Sequence, residues 1–260
     1  MTHKSADTGT SGLTRQDIED LARNGQLTVD RQIFTHHELD EVQTLMDGVR
    51  AHLREIPANF VVDLANGKGP VQIDEVLWPS RLEPRLKRTK VFARTRQIAE
   101  ILLGGPVTLH FDHHIQKTPF SDKGTLWHQD QGFEEDTAVK GTFWIPTIDV
   151  NEDNGCMWFI PRSQERGLLP HERIGTAGIV VRDVDETNQI SAPLRRGGFS
   201  VHRELTLHSS KPNTTAQSRP AWILRFRRDD LSSMRMAIKE VRSGTSSAPG
   251  FSRLTRVKHK

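Results

Sequence analysis

Two histidines and one carboxylate in this chain have the spacing of a metal-ligand set that requires strands. His128 and Asp130 stand two residues apart, and His208 follows far downstream in an apolar-flanked run. In an extended strand, residues i and i+2 point to the same side, so His128 and Asp130 can bind one ion together. Two histidines and a carboxylate hold iron(II) on one face and leave the opposite face open. The third ligand then has to come from a second strand.

Arg219, eleven residues after His208, adds a second requirement. The stretch between them, 209–215, is rich in turn-forming residues. Pro220 disfavours the helical region for the residue before it, so Arg219 is predicted to be extended. We therefore expect a hairpin that returns Arg219 alongside His208. A guanidinium can bind a carboxylate through two parallel hydrogen bonds, which predicts a clamp for an organic co-substrate.

The order of the predicted elements places helices first and strands after. Thr14 is predicted to cap a helix that runs through Ala22, and Thr35 with Glu38 forms a capping box that opens an amphipathic helix. Further helices are predicted at 92–103 and 229–241. From residue 107 onward, short apolar segments are separated by Gly, Pro, Asn and Asp, which is typical of strands. The predicted strands are 107–112, 114–118, 125–130, 141–149, 156–161, 177–182, 199–208 and 221–227. This order predicts a mainly β fold with flanking helices, a double-stranded β-helix or cupin-like jelly roll.

In these residues the chain resembles the phytanoyl-CoA dioxygenase family of iron(II)- and 2-oxoglutarate-dependent oxygenases. His128-x-Asp130 matches the HxD of the family, and His208-Ser209-Ser210-x-x-Asn213 matches its distal segment. Arg219 stands where the family has its 2-oxoglutarate arginine. Trp144 and the run 154–163 are also similar to the family pattern, although Arg162 stands where glycine is usual. The resemblance covers roughly residues 13–228.

The resemblance implies a catalytic centre in which His128, Asp130 and His208 bind iron(II), with 2-oxoglutarate as co-substrate and O2 as oxidant. It implies an oxygenase that hydroxylates or otherwise oxidises a small organic molecule and releases succinate and CO2. Hydroxylation is the default outcome for such a centre. The primary substrate, the position oxidised and the oligomeric state are left open by the sequence.

The same resemblance assigns residues to the co-substrate. Arg219 together with Ser210 is expected to bind the C5 carboxylate of 2-oxoglutarate. Gln116 and Thr142 are expected on strands beside the site, where they also contact the co-substrate. Trp144 is expected to form an apolar wall.

Two histidine-containing alternatives compete with this ligand set. His110 and Asp112 form a second HxD, which we expect to lie on the preceding strand, paired within the sheet or lining its mouth. His202 lies six residues before His208, on the same face if both belong to one strand. Nothing after His202 repeats the Ser and Arg offsets, so we expect it to have a supporting role.

Length and composition indicate one domain without a membrane span. We expect residues 13–241 to form a single oxygenase domain, between a disordered N-terminus at 1–12 and a basic, flexible tail at 242–260. No run approaches 18 apolar residues, and the polar N-terminus lacks the apolar region of a signal peptide. A single cysteine, Cys156, excludes an internal disulfide and favours a reducing, cytoplasmic location.

The net charge of the chain is +3, and the last 25 residues alone hold six Lys or Arg and one Glu. The basic character is therefore predicted to belong to the tail and not to a patch on the folded body. Nucleic acid is then an unlikely partner, and a small molecule without the phosphates of coenzyme A is favoured, such as a natural-product intermediate.

Two other functions remain open from the sequence. A His/His/Asp set with an open position also suits zinc, so a zinc-dependent hydrolase is one alternative. That alternative leaves Arg219 and Ser210 unexplained. The other is a jelly-roll binding protein without catalytic activity, although such a protein would be expected to have lost part of the ligand set.

Overall fold

Two antiparallel sheets, whose inner side chains meet, form the body of the computed structural model, which describes residues 11–63, 73–174 and 178–229. The strands are β1 (Gln26–Val29), β2 (Val61–Asp63), β3 (Ile73–Leu77), β4 (Val107–Lys117), β5 (Thr125–His128), β6 (Lys140–Pro146), β7 (Met157–Phe159), β8 (Glu172–Ile174), β9 (Gly178–Val180), β10 (Ile190–Ala192), β11 (Phe199–Arg203), β12 (His208–Ser210) and β13 (Arg219–Arg228). The helices are α1 (Arg15–Asn24), α2 (His36–Ala51), α3 (Pro79–Leu82) and α4 (Lys90–Leu103). A seven-stranded sheet has the order β1-β11-β6-β13-β4-β3-β2, and a four-stranded sheet has the order β10-β7-β12-β5.

The arrangement confirms the predicted mainly β fold with flanking helices, a double-stranded β-helix. The predicted helix starts are also observed, because Thr14 and Thr35 each cap a helix through a capping box. Each threonine side chain accepts a hydrogen bond from a backbone N–H that the first turn leaves unpaired. No helix in the described part of the chain is long and apolar enough to cross a membrane.

The side chains of β13 alternate between two regions. One face packs against the helices, and the other lines the interior between the sheets. Trp222, Leu224 and Phe226 pack with the helices in the largest buried cluster. Ala221 and Ile223 belong to a second cluster on the other face of the same strand. Successive side chains of a strand point to opposite faces, so one strand both anchors the helical layer and lines the interior.

The strand predicted at 199–208 is two strands in two different sheets. β11 ends at Arg203 in the seven-stranded sheet, and β12 begins at His208 in the four-stranded sheet. A turn at 204–207 carries the chain across, which a continuous apolar run does not reveal. Conversely, the strands predicted at 107–112 and 114–118 are the single strand β4. The short strands β1, β2, β3, β8 and β10 were not predicted.

The charge prediction needs a correction, because the folded body does carry exposed cations. Arg81, Arg85, Lys87, Arg88 and Lys90 are all exposed on the segment that includes α3 and the start of α4. The net charge of the whole folded body does not reveal this local run of cations.

The helix predicted at 229–241 lies outside the described residues apart from its first residue, and the tail at 242–260 lies outside them entirely.

Two glycines in the described chain offer a matched test of the backbone. An added Cβ at Gly48, inside α2, meets nothing within 4 Å, so Gly48→Ala should raise the free energy of unfolding by about 0.5–1 kcal/mol. At Gly197, with φ +109°, the added Cβ would lie 2.7 Å from the Phe34 carbonyl oxygen. Gly197→Ala should therefore lower the free energy of unfolding by about 1–3 kcal/mol. Urea unfolding of both variants checks this, and equal stabilities would contradict the described backbone.

Candidate active site

The structure brings His128, Asp130 and His208 together. One ligand atom from each lies within 4.8 Å of the others, and all three residues are buried. His128 ends β5 and is the register partner of His208 at the start of β12. The strand predicted at 125–130 stops at His128, and Asp130 begins a short 3-10 turn. The turn still directs the Asp130 carboxylate to the histidines, with Oδ1 3.9 Å from Nε2 of His128 and 3.5 Å from Nε2 of His208.

Backbone carbonyls fix both imidazoles in one tautomer. Nδ1 of His128 donates to the Leu126 carbonyl at 2.8 Å, and Nδ1 of His208 donates to the Thr206 carbonyl at 2.9 Å. Because a carbonyl can only accept, Nδ1 carries the hydrogen and Nε2 presents a lone pair toward Asp130. Burial, followed by the nearby His208, lowers the pKa of His128 to about 3. Neutral imidazoles with free Nε2 atoms are the form that binds a metal ion.

The two oxygens of Asp130 have separate roles. Oδ1 faces the histidines, whereas Oδ2 accepts from the Thr142 hydroxyl at 2.6 Å and lies 2.7 Å from Nη2 of Arg225. Nε2 of His202 is 3.3 Å from the same oxygen. Burial alone would raise the pKa of the Asp130 carboxyl, but Arg225 and the adjacent imidazoles outweigh it and hold this pKa well below its usual range. Asp130 is therefore a fixed carboxylate with one oxygen available to an ion.

These contacts revise the expectation for Thr142 and add a residue that the sequence analysis missed. The Thr142 hydroxyl was expected to contact the co-substrate, but it is bound to Asp130 and also accepts from Nε of Arg225 at 3.3 Å. Arg225 was missed entirely. Its even spacing from Arg219 along β13 was the available signal, because residues six apart on a strand share a face. His202 takes the supporting position that was expected for it, although it reaches the site from the opposite sheet.

Arg219 is a buried cation, and no anionic partner is found for it among the described residues. It is 1% exposed, and neither Nε nor Nη1 finds a hydrogen-bond partner among the described residues. Burial lowers the pKa of its guanidinium to about 10. The guanidinium lies over the indole of Trp144, 5.1 Å from the ring centroid. Trp144 thus forms an apolar wall beside Arg219, as the resemblance implied.

The path by which Arg219 reaches the interior differs from the predicted hairpin. β12 and β13 belong to different sheets, so Arg219 is not paired with His208. Its register partner is Lys117 of β4, while Gln116 is the partner of Pro220. Cross-strand partners share a face, so Gln116 points away from Arg219, and with Pro220 it lines a groove against α2. The expected contact of Gln116 with the co-substrate is not supported.

Lys117 occupies the interior position that was expected for Gln116. Its ammonium is 0% exposed and donates to the carbonyls of Ser210, at 3.3 Å, and of Lys211. A Cβ added at Gly155 would lie 3.2 Å from Lys117 Nζ, so glycine leaves room for the ammonium. Burial, followed by the nearby Arg219, lowers the pKa of Lys117 to about 6. Lys117 joins β4 to β12, where Ser210 is also buried.

The two residues of the second HxD, His110 and Asp112, lie in two different environments. Nε2 of His110 lies 2.7 Å from Glu134 Oε2, and Glu134 is also bound to Nη1 of Arg225 at 3.0 Å. The Asp112 carboxylate is directed to the helical face, where it accepts from the Trp222 indole N–H at 3.2 Å. His110 and Asp112 therefore do not converge on one ion.

His110, Glu134 and Asp136 form a further group whose ligand atoms lie close enough for a metal. Cations already occupy it, however. Lys140 Nζ is 3.4 Å from a carboxylate oxygen of Glu134 and of Asp136, and Arg225 bonds to Glu134. The group therefore has its negative charge balanced by the protein itself.

Comparison with known proteins shows the family. The sequence model of the phytanoyl-CoA dioxygenase (PhyH) family matches residues 21–221, so the chain belongs to this family. A phytanoyl-CoA dioxygenase domain-containing protein 1 from Danio rerio is 30% identical over 149 residues, which are 53% of this chain and 50% of that protein. A phytanoyl-CoA dioxygenase from Arabidopsis thaliana is 29% identical over 117 residues, 43% of this chain and 41% of that protein. The chain spans about half or less of the length of these relatives.

Solved structures are similar over most of the chain. EvdO2 from Micromonospora carbonacea var. aurantiaca, in complex with 2-oxoglutarate, is 27% identical, with a TM-score of 0.71 over 84% of this chain and 91% of that one. SnoK, an alpha-ketoglutarate-dependent carbocyclase from nogalamycin biosynthesis, is 19% identical, with a TM-score of 0.67 over 90% and 93% of the two chains. The second likeness shows a shared fold.

The depressed pKa of Lys117 predicts a pH-dependent stability. An unfolded lysine stays protonated up to about pH 10.4, whereas the folded one loses its proton near a pKa of about 6. Unfolding between these values takes up a proton, so raising the pH stabilises the fold by up to about 1.4 kcal/mol per unit. Lys117→Met should remove this contribution. Urea unfolding of both proteins at pH 7, 8 and 9 checks the difference, and parallel pH profiles would contradict it.

Proposed function

We propose that this chain is an iron(II)- and 2-oxoglutarate-dependent oxygenase that oxidises a small organic molecule and releases succinate and CO2. His128, Asp130 and His208 hold the iron(II), and Arg219 with Ser210 binds the C5 carboxylate of 2-oxoglutarate. The family match and the 2-oxoglutarate complex of EvdO2 support this assignment. Hydroxylation is the default outcome.

The buried guanidinium of Arg219, for which the described residues supply no anionic partner, is the observation that supports the proposal most directly. A buried cation without a partner is strongly unfavourable, because the interior does not replace its lost hydration. Its Nε and Nη1 have no hydrogen-bond partner among the described residues, so the planar guanidinium keeps N–H donors available for a carboxylate. An anionic ligand bound in the functional state would balance the buried charge and accept hydrogen bonds from the free donors. 2-Oxoglutarate supplies such a carboxylate at the end opposite its metal-chelating atoms.

The donor set also fits iron(II). Two neutral imidazoles with Nε2 lone pairs and one carboxylate oxygen form the set that binds this ion and leaves further positions open. When bound, the iron and the co-substrate supply the oxidising chemistry, in which O2 is reduced and 2-oxoglutarate loses CO2. The protein supplies position and exclusion of water. Arg225 and Thr142 hold Oδ2 of Asp130, so that Oδ1 is the oxygen that faces His128 and His208.

The zinc-hydrolase alternative is less consistent with these contacts. A hydrolase needs a base that can take a proton from water, but the carboxylate of Glu134 is bound to His110 and Arg225. It also gives no role to the buried Arg219. For the substrate, we propose a natural-product intermediate, since two proteins with this fold come from nogalamycin biosynthesis.

A first prediction concerns the metal. The chain should bind one Co(II), a spectroscopic substitute for iron(II), and Asp130→Ala should weaken this binding at least tenfold because it removes a charged ligand. His110→Ala serves as the matched control and should bind as the unsubstituted chain does. Visible absorption titration under argon measures both. Loss of binding in His110→Ala with binding retained in Asp130→Ala would show that the other group of ligands is the metal centre.

A second prediction concerns the co-substrate. Removing one partner of a buried charged hydrogen bond costs on the order of 2–5 kcal/mol, and each factor of ten in affinity corresponds to about 1.4 kcal/mol. Arg219→Ala should therefore raise the 2-oxoglutarate concentration needed for half-maximal succinate formation at least tenfold, with Co(II) binding unchanged. Arg219→Lys should recover part of the affinity, because an ammonium lacks the planar fork.

The exposed Arg195, which is paired with Asp30 on the surface, provides the control for that experiment. Arg195→Ala should keep the 2-oxoglutarate requirement of the unsubstituted chain. If none of the proteins forms succinate from 2-oxoglutarate with iron(II) and O2 present, the oxygenase proposal is wrong and the hydrolase alternative gains.

A further inference from the structure

Trp78 is a bulky residue in a backbone conformation that bulky residues avoid. It has φ 54° and ψ 44°, the left-handed region, at the corner between β3 and α3. A side chain of this size makes the region unfavourable. Such outliers persist where the surroundings enforce them, and they concentrate at binding and catalytic sites. The position of Trp78 therefore calls for a functional explanation.

Asp112 on β4 holds the backbone turn between β3 and α3 in place. Its carbonyl accepts the Trp78 N–H at 2.8 Å. Its fully buried carboxylate accepts the Ser80 N–H at 3.1 Å and the Ser80 hydroxyl at 2.9 Å, and it is anchored by the Trp222 indole N–H at 3.2 Å. Asp112 is thus a positioning residue, which explains the carboxylate of the second HxD without a metal.

The indole of Trp78 contacts the ring of Phe111 on the active-site side of the sheet. Trp78 and Phe111 have ring centroids 5.0 Å apart and planes at 86°, so the edge of one ring faces the other, and we call this pair the aromatic corner. Phe111 is the register partner of Arg225, and cross-strand partners share a face. Arg225 in turn binds Asp130 at 2.7 Å. The aromatic corner therefore adjoins the ligand cluster, and both rings are half-buried.

The guanidinium of Arg81 lies at the outer end of the aromatic pair of Trp78 and Phe111. The Arg81 guanidinium lies 3.6 Å from the centroid of the Trp78 ring and is exposed. No carboxylate among the described residues pairs with it, whereas the neighbouring Arg85 is paired with Glu83 at 2.6 Å. Stacking on an indole orients the guanidinium while leaving its N–H donors available. Arg81 is thus arranged to receive an anionic group.

We propose that Arg81, Trp78 and Phe111 bind the primary substrate, and that this substrate is an organic anion with a ring. Its carboxylate or other anionic group binds Arg81, its ring packs in the corner of Trp78 and Phe111, and the remainder extends along β4 toward Asp130. This inference rests on the proposed function, because it assigns the substrate of the same site. It adds three specificity-determining residues that lie outside the metal and co-substrate set.

The test uses two probes that differ only in charge, 2-naphthoate and 2-naphthamide. Isothermal titration is carried out with the full chain loaded with iron(II) and 2-oxoglutarate in the absence of O2, so that Arg219 is already occupied. The unsubstituted chain should bind 2-naphthoate at least tenfold more tightly than 2-naphthamide. Arg81→Gln should abolish this preference, and the matched control Arg85→Gln should retain it.

A second pair of variants separates binding from folding. Glycine tolerates the left-handed region, so Trp78→Gly should melt at a higher temperature than Trp78→Ala. Both variants should bind both probes at least tenfold more weakly than the unsubstituted chain, with 2-oxoglutarate affinity unchanged. Equal affinity of the unsubstituted chain for the two probes, a preference retained in Arg81→Gln, or full probe binding by Trp78→Gly would overturn the inference. Failure of the unsubstituted chain to bind 2-oxoglutarate would instead contradict the proposed function.

Discussion

The carboxylate of Asp130 is the point at which the two larger sheets of this protein are joined electrostatically. Asp130 follows β5 of the four-stranded sheet, whereas Arg225 and Thr142, which hold its Oδ2, come from the seven-stranded sheet. An uncompensated carboxylate at this depth would be strongly destabilising, so the cation opposite it is required. Because Oδ2 is occupied in this way, Oδ1 is left to the histidines. The same contacts therefore hold the sheets together and define the face of the site.

Arg219 places a contrasting charge in the same interior. Its cross-strand partner is Lys117, both residues are nearly or fully buried, and no carboxylate among the described residues pairs with Arg219. Lys117 satisfies part of its bonding with backbone carbonyls of β12, but Arg219 keeps two free donors. The charge of Asp130 is thus balanced by the protein, whereas the positive charge of Arg219 is not. An acidic ligand is therefore needed only at Arg219.

The parts of this account that depend on local sequence could be predicted, and those that depend on sheet assignment could not. The pairing of His128 with Asp130, the capping threonines and the importance of Arg219 follow from spacing and side-chain chemistry. The crossing between β11 and β12 did not, because an apolar run looks the same whether it stays in one sheet or changes sheets. The resemblance implied that Gln116 contacts the co-substrate, but Lys117 takes the interior position beside Arg219, since adjacent residues on a strand face opposite ways. Arg225 escaped notice because its partner is distant in sequence.

Arg219 and the His/Asp/His cluster are proposed to belong to one site. A crystal structure of the chain with iron(II) and 2-oxoglutarate, grown without O2, tests this most directly. The proposed site predicts a metal ion bound by His128, Asp130 and His208, and a carboxylate of 2-oxoglutarate bound to the guanidinium of Arg219. A metal ion bound at His110 and Glu134, or 2-oxoglutarate bound elsewhere with Arg219 still unpaired, would contradict it.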